Sequence, residues 1–167
     1  IDNIKIKWNG SNNAGIYLLN AHNNTINNVE VWDSKKWINL LLSSYNTLHN
    51  IKLHDNYFIG DSYGLYIWAT SNQNYITNSQ IYNHTGNVWI FIFSYSTWNI
   101  INNSNIYNNW IGVQLWEYDY MAYNSINNSQ IFNNELWIEW WNGANIVYNS
   151  NIYNNITWYK QINDISN

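Results

Sequence analysis

A six-residue pattern returns seven times along the chain and restricts it to a stack of similar coils. The segments are IDNIKI from Ile1, INNVEV from Ile26, LHNIKL from Leu48, ITNSQI from Ile76, INNSNI from Ile101, INNSQI from Ile126 and VYNSNI from Val147. Successive starts lie 25, 22, 28, 25, 25 and 21 residues apart, about 24 on average. A unit this short cannot enclose a core, so each copy must bury its apolar face against the next. Aliphatic and polar residues alternate within the segments, which is strand patterning. Ile6, Val31, Leu53, Ile81, Ile106, Ile131 and Ile152 are expected to stack inside, next to an inward column of Ile4, Val29, Ile51, Ser79, Ser104, Ser129 and Ser150. Lys5, Glu30, Lys52, Gln80, Asn105, Gln130 and Asn151 are expected to face water.

The third residue of every segment is Asn: Asn3, Asn28, Asn50, Asn78, Asn103, Asn128 and Asn149. Asn tolerates left-handed backbone and bonds to nearby backbone groups, so a turn is expected there. Identical amides stacked coil on coil also bond to one another, which predicts one continuous ladder of these side chains. A second strand follows in each coil: GIYLL at Gly15, WINLLL at Trp37, GLYIW at Gly64, VWIFIF at Val88, IGVQLW at Ile111 and LWIEWW at Leu136. The seventh coil, around Ile156, does not align.

Asn makes up 37 of 167 residues and only 10% are charged. Such a composition also occurs in disordered low-complexity chains, but those lack regularly placed Ile, Leu and Val. The absence of Pro fits strands paired on both edges. With no Cys there are no disulfides or thiolate metal sites. A net charge of −4 argues against tracking a nucleic-acid backbone. No apolar run is long enough for a membrane helix, and the sequence, which begins at Ile1 without a signal-peptide pattern, is expected to be a mature product or a piece of a longer protein. Residues 1–167 are expected to form a single β-helix domain, a segment of a longer chain or assembly.

The repeat resembles that of the right-handed parallel β-helices of the pectate-lyase-like superfamily, with NNSxIYNN-type stretches around Asn103 and Asn128 matching best. The resemblance implies an all-β right-handed solenoid of about seven coils, roughly 34 Å tall at about 4.8 Å per coil. It implies no single function, because the superfamily holds lyases, hydrolases, viral spikes, adhesins and non-enzymatic surface proteins.

Polysaccharide-cleaving relatives use paired carboxylates, or carboxylate-bound calcium with a basic residue. Asp33 and Asp55 share one coil offset and are expected to be adjacent; Glu117, Asp119 and Glu139 lie near one another on later coils. Lys35, Lys36 and Lys52 are the nearby bases. Ordinary turn and surface acids account for these residues better than a working site, and no catalytic residue is assigned. His22, His49, His54 and His84 have no metal-ligand spacing, and Met121 is the only soft ligand, so neither metal nor cofactor is expected.

The second strands carry the most unusual feature. With Leu65, Val88, Val113 and Ile138 inside, the outward columns read Tyr17, Asn39, Tyr66, Trp89, Gln114, Glu139 and Leu19, Leu41, Trp68, Phe91, Trp116, Trp141. Tyr66, Trp68, Trp89, Phe91, Trp116, Glu139 and Trp141 are therefore the candidate binding face. An exposed strip of this size marks an interaction site. The expected role is a non-catalytic extracellular or cell-surface structural or adhesive solenoid, a filament, surface-layer or spike component, whose strip is covered by another copy or domain. A carbohydrate-binding or polysaccharide-cleaving protein is the alternative. Sequons at Asn9, Asn23, Asn83, Asn102, Asn127 and Asn155 are glycosylation candidates.

Overall fold

A computed structural model describes residues 1–7, 14–33, 36–56, 63–116, 122–141, 143–157 and 160–162. Every regular element among them is a β-strand, and every strand pairing is parallel. One side of the solenoid begins with Asp2–Lys7, Thr25–Trp32 and Thr47–Asn56. In later coils it is split by a turn, into Tyr75–Thr77 and the start of Gln80–Phe93, then Ile100–Asn102 and the start of Asn105–Trp116. The last two are Ser125–Asn127 with Gln130–Phe132, and Ile146–Tyr148 with Asn151–Tyr153. The second side stacks Ala14–Leu19, Lys36–Leu41, Tyr63–Trp68, the two long strands' ends, Leu136–Trp141 and Lys160–Ile162. Each stack has seven rungs; the five inner ones have neighbours on both sides, which makes about five full turns.

The inward aliphatic columns of the first side are as the alternation requires in the inner coils, where Val31, Leu53, Ile81, Ile106 and Ile131 stack in register and are fully buried; in the end coils Ile6 and Ile152 are half-buried and Ile4 is exposed. The serines extending the neighbouring column replace aliphatics for a backbone reason. Each Ser Oγ accepts from an amide N–H one coil back, as in Ile51 N to Ser79 at 3.2 Å and Ser79 N to Ser104 at 3.2 Å. All seven third-position asparagines adopt left-handed backbone, with φ between 49° and 54°. Their side chains do not form one continuous ladder. Asn50 donates to Asn28 and Asn103 to Asn78, but Asn28 bonds Asp2, Asn78 meets His49 and Asn128 bonds Asn102. These amides are exposed, where water competes for each bond, so alternative partners are equally good.

The continuous amide column lies at a different corner and, from Asn46 onward, is buried. Asn24 donates to Asn46, Asn46 to Asn74, Asn74 to Asn99 and Asn99 to Asn124, at 3.0–3.1 Å. The same Oδ1 atoms accept the backbone N–H of the preceding coil, for example Asn46 N to Asn74 at 3.0 Å and Asn74 N to Asn99 at 2.9 Å. The Nδ2 groups of Asn24, Asn46, Asn74 and Asn99 also reach carbonyls, as Asn74 does with Ser43, whereas that of Asn124 is buried without a partner among the described residues. At this corner the chain turns out of the strand-to-strand ladder, and the amide replaces the lost backbone partners.

The second side corrects one expected register. Leu65 pairs with Ile90 rather than Val88, and Tyr66 with Phe91. Phe91 therefore occupies the first outward column and Phe93 the second, beside Trp68 and Trp116. Trp89 points inward and is fully buried in the core. It belongs to a column of residues preceding the inward aliphatic: Gly15, Trp37, Gly64, Trp89, Gly112 and Trp137. Small and large alternate along this column, and at Gly64 an indole fills the space beside the glycine. A Cβ on Gly64 would stand 2.4 Å from Trp89 Cε3. Trp37 and Trp89, two coils apart, meet across that glycine edge to face at 4.2 Å.

Replacing Asn74 by Ala strands several buried donors and acceptors at once, and is expected to cost about 2–5 kcal/mol. Asn50→Ala, at the exposed column, is expected to cost about 1 kcal/mol, mainly from its left-handed backbone. Urea unfolding of the two variants checks the difference; equal losses would remove the buried column's special role.

Candidate functional site

The acids proposed as a pair occupy turn positions. Asp33 and Asp55 are adjacent in register, since Trp32 pairs with His54. Both have left-handed backbone, φ 56° and 57°, and the column continues as Asn83, Asn108, Asn133 and Asn154, all with positive φ. Asn83 donates to Asp55 at 3.1 Å and Asn108 to Asn83 at 3.2 Å. The acids thus stand where an Asx side chain stabilises a turn. Their other contacts are structural. His54 lies between Glu30 and Asp55, with Nε2 3.1 Å from Glu30 Oε1 and Nδ1 2.8 Å from Asp55 Oδ2. Lys5 pairs with Glu30 at 2.8 Å and Lys7 with Asp33 at 3.8 Å. The Lys5 hydrogen bond holds the Glu30 carboxyl below its ordinary value against the opposing effect of burial, with His54 assisting. Lys5, Glu30 and Lys52 also line a shallow groove of about 310 Å³ with Asn3, Asn28 and Asn50. No group of three His, Cys, Asp or Glu among the described residues is arranged to hold a metal ion. Lys35, Asp61, Glu117, Asp119 and Met121 lie outside the described residues.

The aromatic strip is a small second core more than an open face. Tyr66 and Phe91 are buried and stack at 5.4 Å with planes 10° apart. Tyr63, Trp68, Phe93, Ile111 and Trp116 pack around them. Trp68 is further fixed by donating its indole N–H to Asn39 at 3.0 Å. Glu139 is also buried, accepting from Gln114 at 2.6 Å. Of the seven residues expected to line a binding face, Trp89 is inside the solenoid and only Trp141, 36% exposed, is open to solvent. Trp116 and Trp141 meet edge to face at 5.5 Å, so the strip's outer margin continues onto an exposed ring.

A second aromatic row escaped the sequence reading. Trp32, His54, Tyr82, Tyr107, Phe132 and Tyr153 stack on successive coils, with centroids 4.9–5.9 Å apart and planes within 7°. Each follows the last inward aliphatic of the first strand, one residue beyond the repeating hexapeptide. Burial raises the Tyr82 and Tyr107 hydroxyls above the ordinary phenol value.

The sequons differ in what their amides do. Asn23 is exposed, and its side chain makes no hydrogen bond among the described residues. Asn83 donates to Asp55, Asn102 to Tyr75, Asn127 to Tyr148 and Asn155 to the Ile131 carbonyl. Asn127 is only 6% exposed. Asn9 lies outside the described residues.

A family model described as the right-handed β-helix region matches residues 1–157. Neither the curated proteins nor the solved structures contain a match to the chain. No helix among the described residues is long and apolar enough to cross a membrane.

Glu30's lowered pKa makes a contribution to stability that is complete above the ordinary carboxylate range and is lost as pH falls through it. Glu30→Gln is therefore expected to flatten the acid limb of a melting-temperature profile and leave the extreme acid value unchanged. An acid limb as steep as that of the unsubstituted protein would contradict the assignment. In a glycosylating secretory host, Asn23 is expected to carry the glycan, and Asn127 and Asn155 to be bare in the folded product. Site-resolved mass spectrometry reads this directly, and occupied Asn127 in soluble protein would refute it.

Proposed function

The chain belongs to the right-handed β-helix family, and from that premise we propose that it is a non-catalytic structural or adhesive solenoid. It joins another copy or domain through the outer margin of its aromatic strip. The carrying observation is the use already made of the carboxylates. Asp33 and Asp55 continue a column of turn asparagines, Glu30 is tied to Lys5 and His54, and Glu139 is held by Gln114. A cleaving site needs one acid to deliver a proton and another group to activate water or attack, both facing an open cleft. These carboxylates instead serve turns and cross-coil bonds. The strip supports the second half of the reading: its buried centre fixes the rings, and its margin presents Leu19 and Trp141 to solvent. Aromatic residues on a rigid support are favoured anchors at protein interfaces. An extracellular or cell-surface setting is part of the proposal, and the open Asn23 sequon supports it.

Leu19→Ser with Trp141→Ser is expected to reduce the particle mass measured by light scattering while the β-sheet spectrum is unchanged. The parent protein is expected to release no reducing or unsaturated ends from acidic or neutral polysaccharides. Cleavage abolished by Asp33→Asn or Asp55→Asn would replace this reading with an enzymatic one.

A further inference from the structure

The corner outside the buried amide column has features that neither the turn chemistry nor the aromatic strip explains. The residues preceding the amides of this column are Asn23, Tyr45, Gln73, Trp98 and Tyr123, of which the first four are exposed and Tyr123 is half-buried. Tyr45 and Trp98 both have φ 61°, a left-handed conformation that bulky residues adopt at a cost of about 1–2 kcal/mol each. Burial does not offset that cost, since Tyr45 is 57% exposed and Trp98 is 53% exposed. Asn23 and Gln73 share the geometry, φ 58° and 54°, so the turn itself does not demand an aromatic residue.

The backbone is tied to the next coil at two positions of this column. Tyr45 N–H donates to the Asn72 carbonyl at 3.0 Å and Gln73 N–H to the Thr97 carbonyl at 3.0 Å. The buried amides lie next in sequence and fix the following residue. Tyr45 and Trp98 sit two coils apart, about 10 Å along the axis, with Gln73 between them. Trp98 is joined by Tyr123, its ring centroid 4.6 Å away and tilted by 32°. The corner segments 20–25, 42–47, 69–75, 94–100 and 122–125 contain no Asp, Glu, Lys or Arg.

We propose that this corner binds an extended neutral glycan lying parallel to the solenoid axis. A sugar ring presents polarised C–H bonds on its face, which suit the electron-rich face of Tyr or Trp. Its hydroxyls need donors and acceptors close by, which the Gln73 amide supplies between the rings. An uncharged corner suits an uncharged polymer: it offers a uronate no counter-charge, and a neutral chain loses no ionic solvation on docking. The surface is separate from the aromatic strip, so the two readings stand or fall independently.

The test uses a double variant, Tyr45→Asn with Trp98→Asn. Asn prefers the left-handed backbone, so the variant is expected to unfold at the same or a higher temperature. Affinity electrophoresis through gels containing β-glucan, mannan or xylan is expected to retard the parent protein, with polygalacturonate as the charged comparison. The double variant is expected to lose about tenfold or more in affinity, a factor equivalent to about 1.4 kcal/mol. Leu19→Ser with Trp141→Ser is expected to keep glycan binding even where it changes particle mass. Retardation by none of the neutral polymers overturns the proposal, as does equal retardation of the double variant or preference for polygalacturonate. Loss of self-association in the double variant without glycan binding would assign the corner to a protein partner instead.

Discussion

The structure depends on satisfying backbone amides where the chain leaves one strand stack for the next. Along a strand, each N–H finds the carbonyl of the coil above or below. At the corner through Asn46, Asn74 and Asn99 it finds a side-chain oxygen instead, one coil away and completely buried. An unpaired buried N–H costs about 1–3 kcal/mol, and one such group would arise in every coil. Asn suits the position because one short side chain accepts the N–H and donates from Nδ2 both to its neighbour and to a carbonyl. Asn109, Asn134 and Asn155 repeat the solution elsewhere: His84 N bonds Asn109, Asn109 N bonds Asn134 and Asn134 N bonds Asn155. The unusual Asn content is therefore largely a consequence of corners.

Much of this was legible because the repeat is short and its alternation strict. The hexapeptides fixed which face of the first strand is inward, and the invariant third Asn marked the left-handed turn. Its side chain does not say whether it is buried, which is why the continuous ladder was placed in the wrong column. The second strands were less legible because VWIFIF is apolar on both faces and carries no phase. A register irregularity between Asn109 and Ile111 shifts the pairing just before that stretch. A better signal was present: a glycine or tryptophan precedes each inward aliphatic, in alternation. Read as a packing column it would have put Trp89 inside beside Trp37.

The candidate site was less legible, for reasons of partnership. Sequence offset correctly set Asp33 beside Asp55, but offset does not distinguish a catalytic pair from two turn residues. The deciding facts are their positive φ and the asparagines that continue the column. His54 shows the same limit, since its environment comes from three strands: Glu30 and Trp32 on one side, Tyr82 on the other, and Asp55 beside it.

Counting aromatic residues misjudges such a surface, because ring geometry decides what a row can contact. In the row from Trp32 to Tyr153 the planes are nearly parallel and about 5 Å apart, so the faces are covered by one another and the edges remain. That row stiffens the solenoid and adds cross-coil contact to each rung. The strip around Phe91 is partly covered in the same way, with Trp116 and Trp141 turned edge to face. At the corner of Tyr45 and Trp98 the intervening Gln73 breaks the stack, and the rings keep more than half their surface open. Interruption by a polar residue, which weakens a ladder, is what leaves a ring face available to a ligand. In a solenoid with one residue per coil in each column, recognition and stiffness therefore compete for the same rings, and the sequence of a single column records which was favoured.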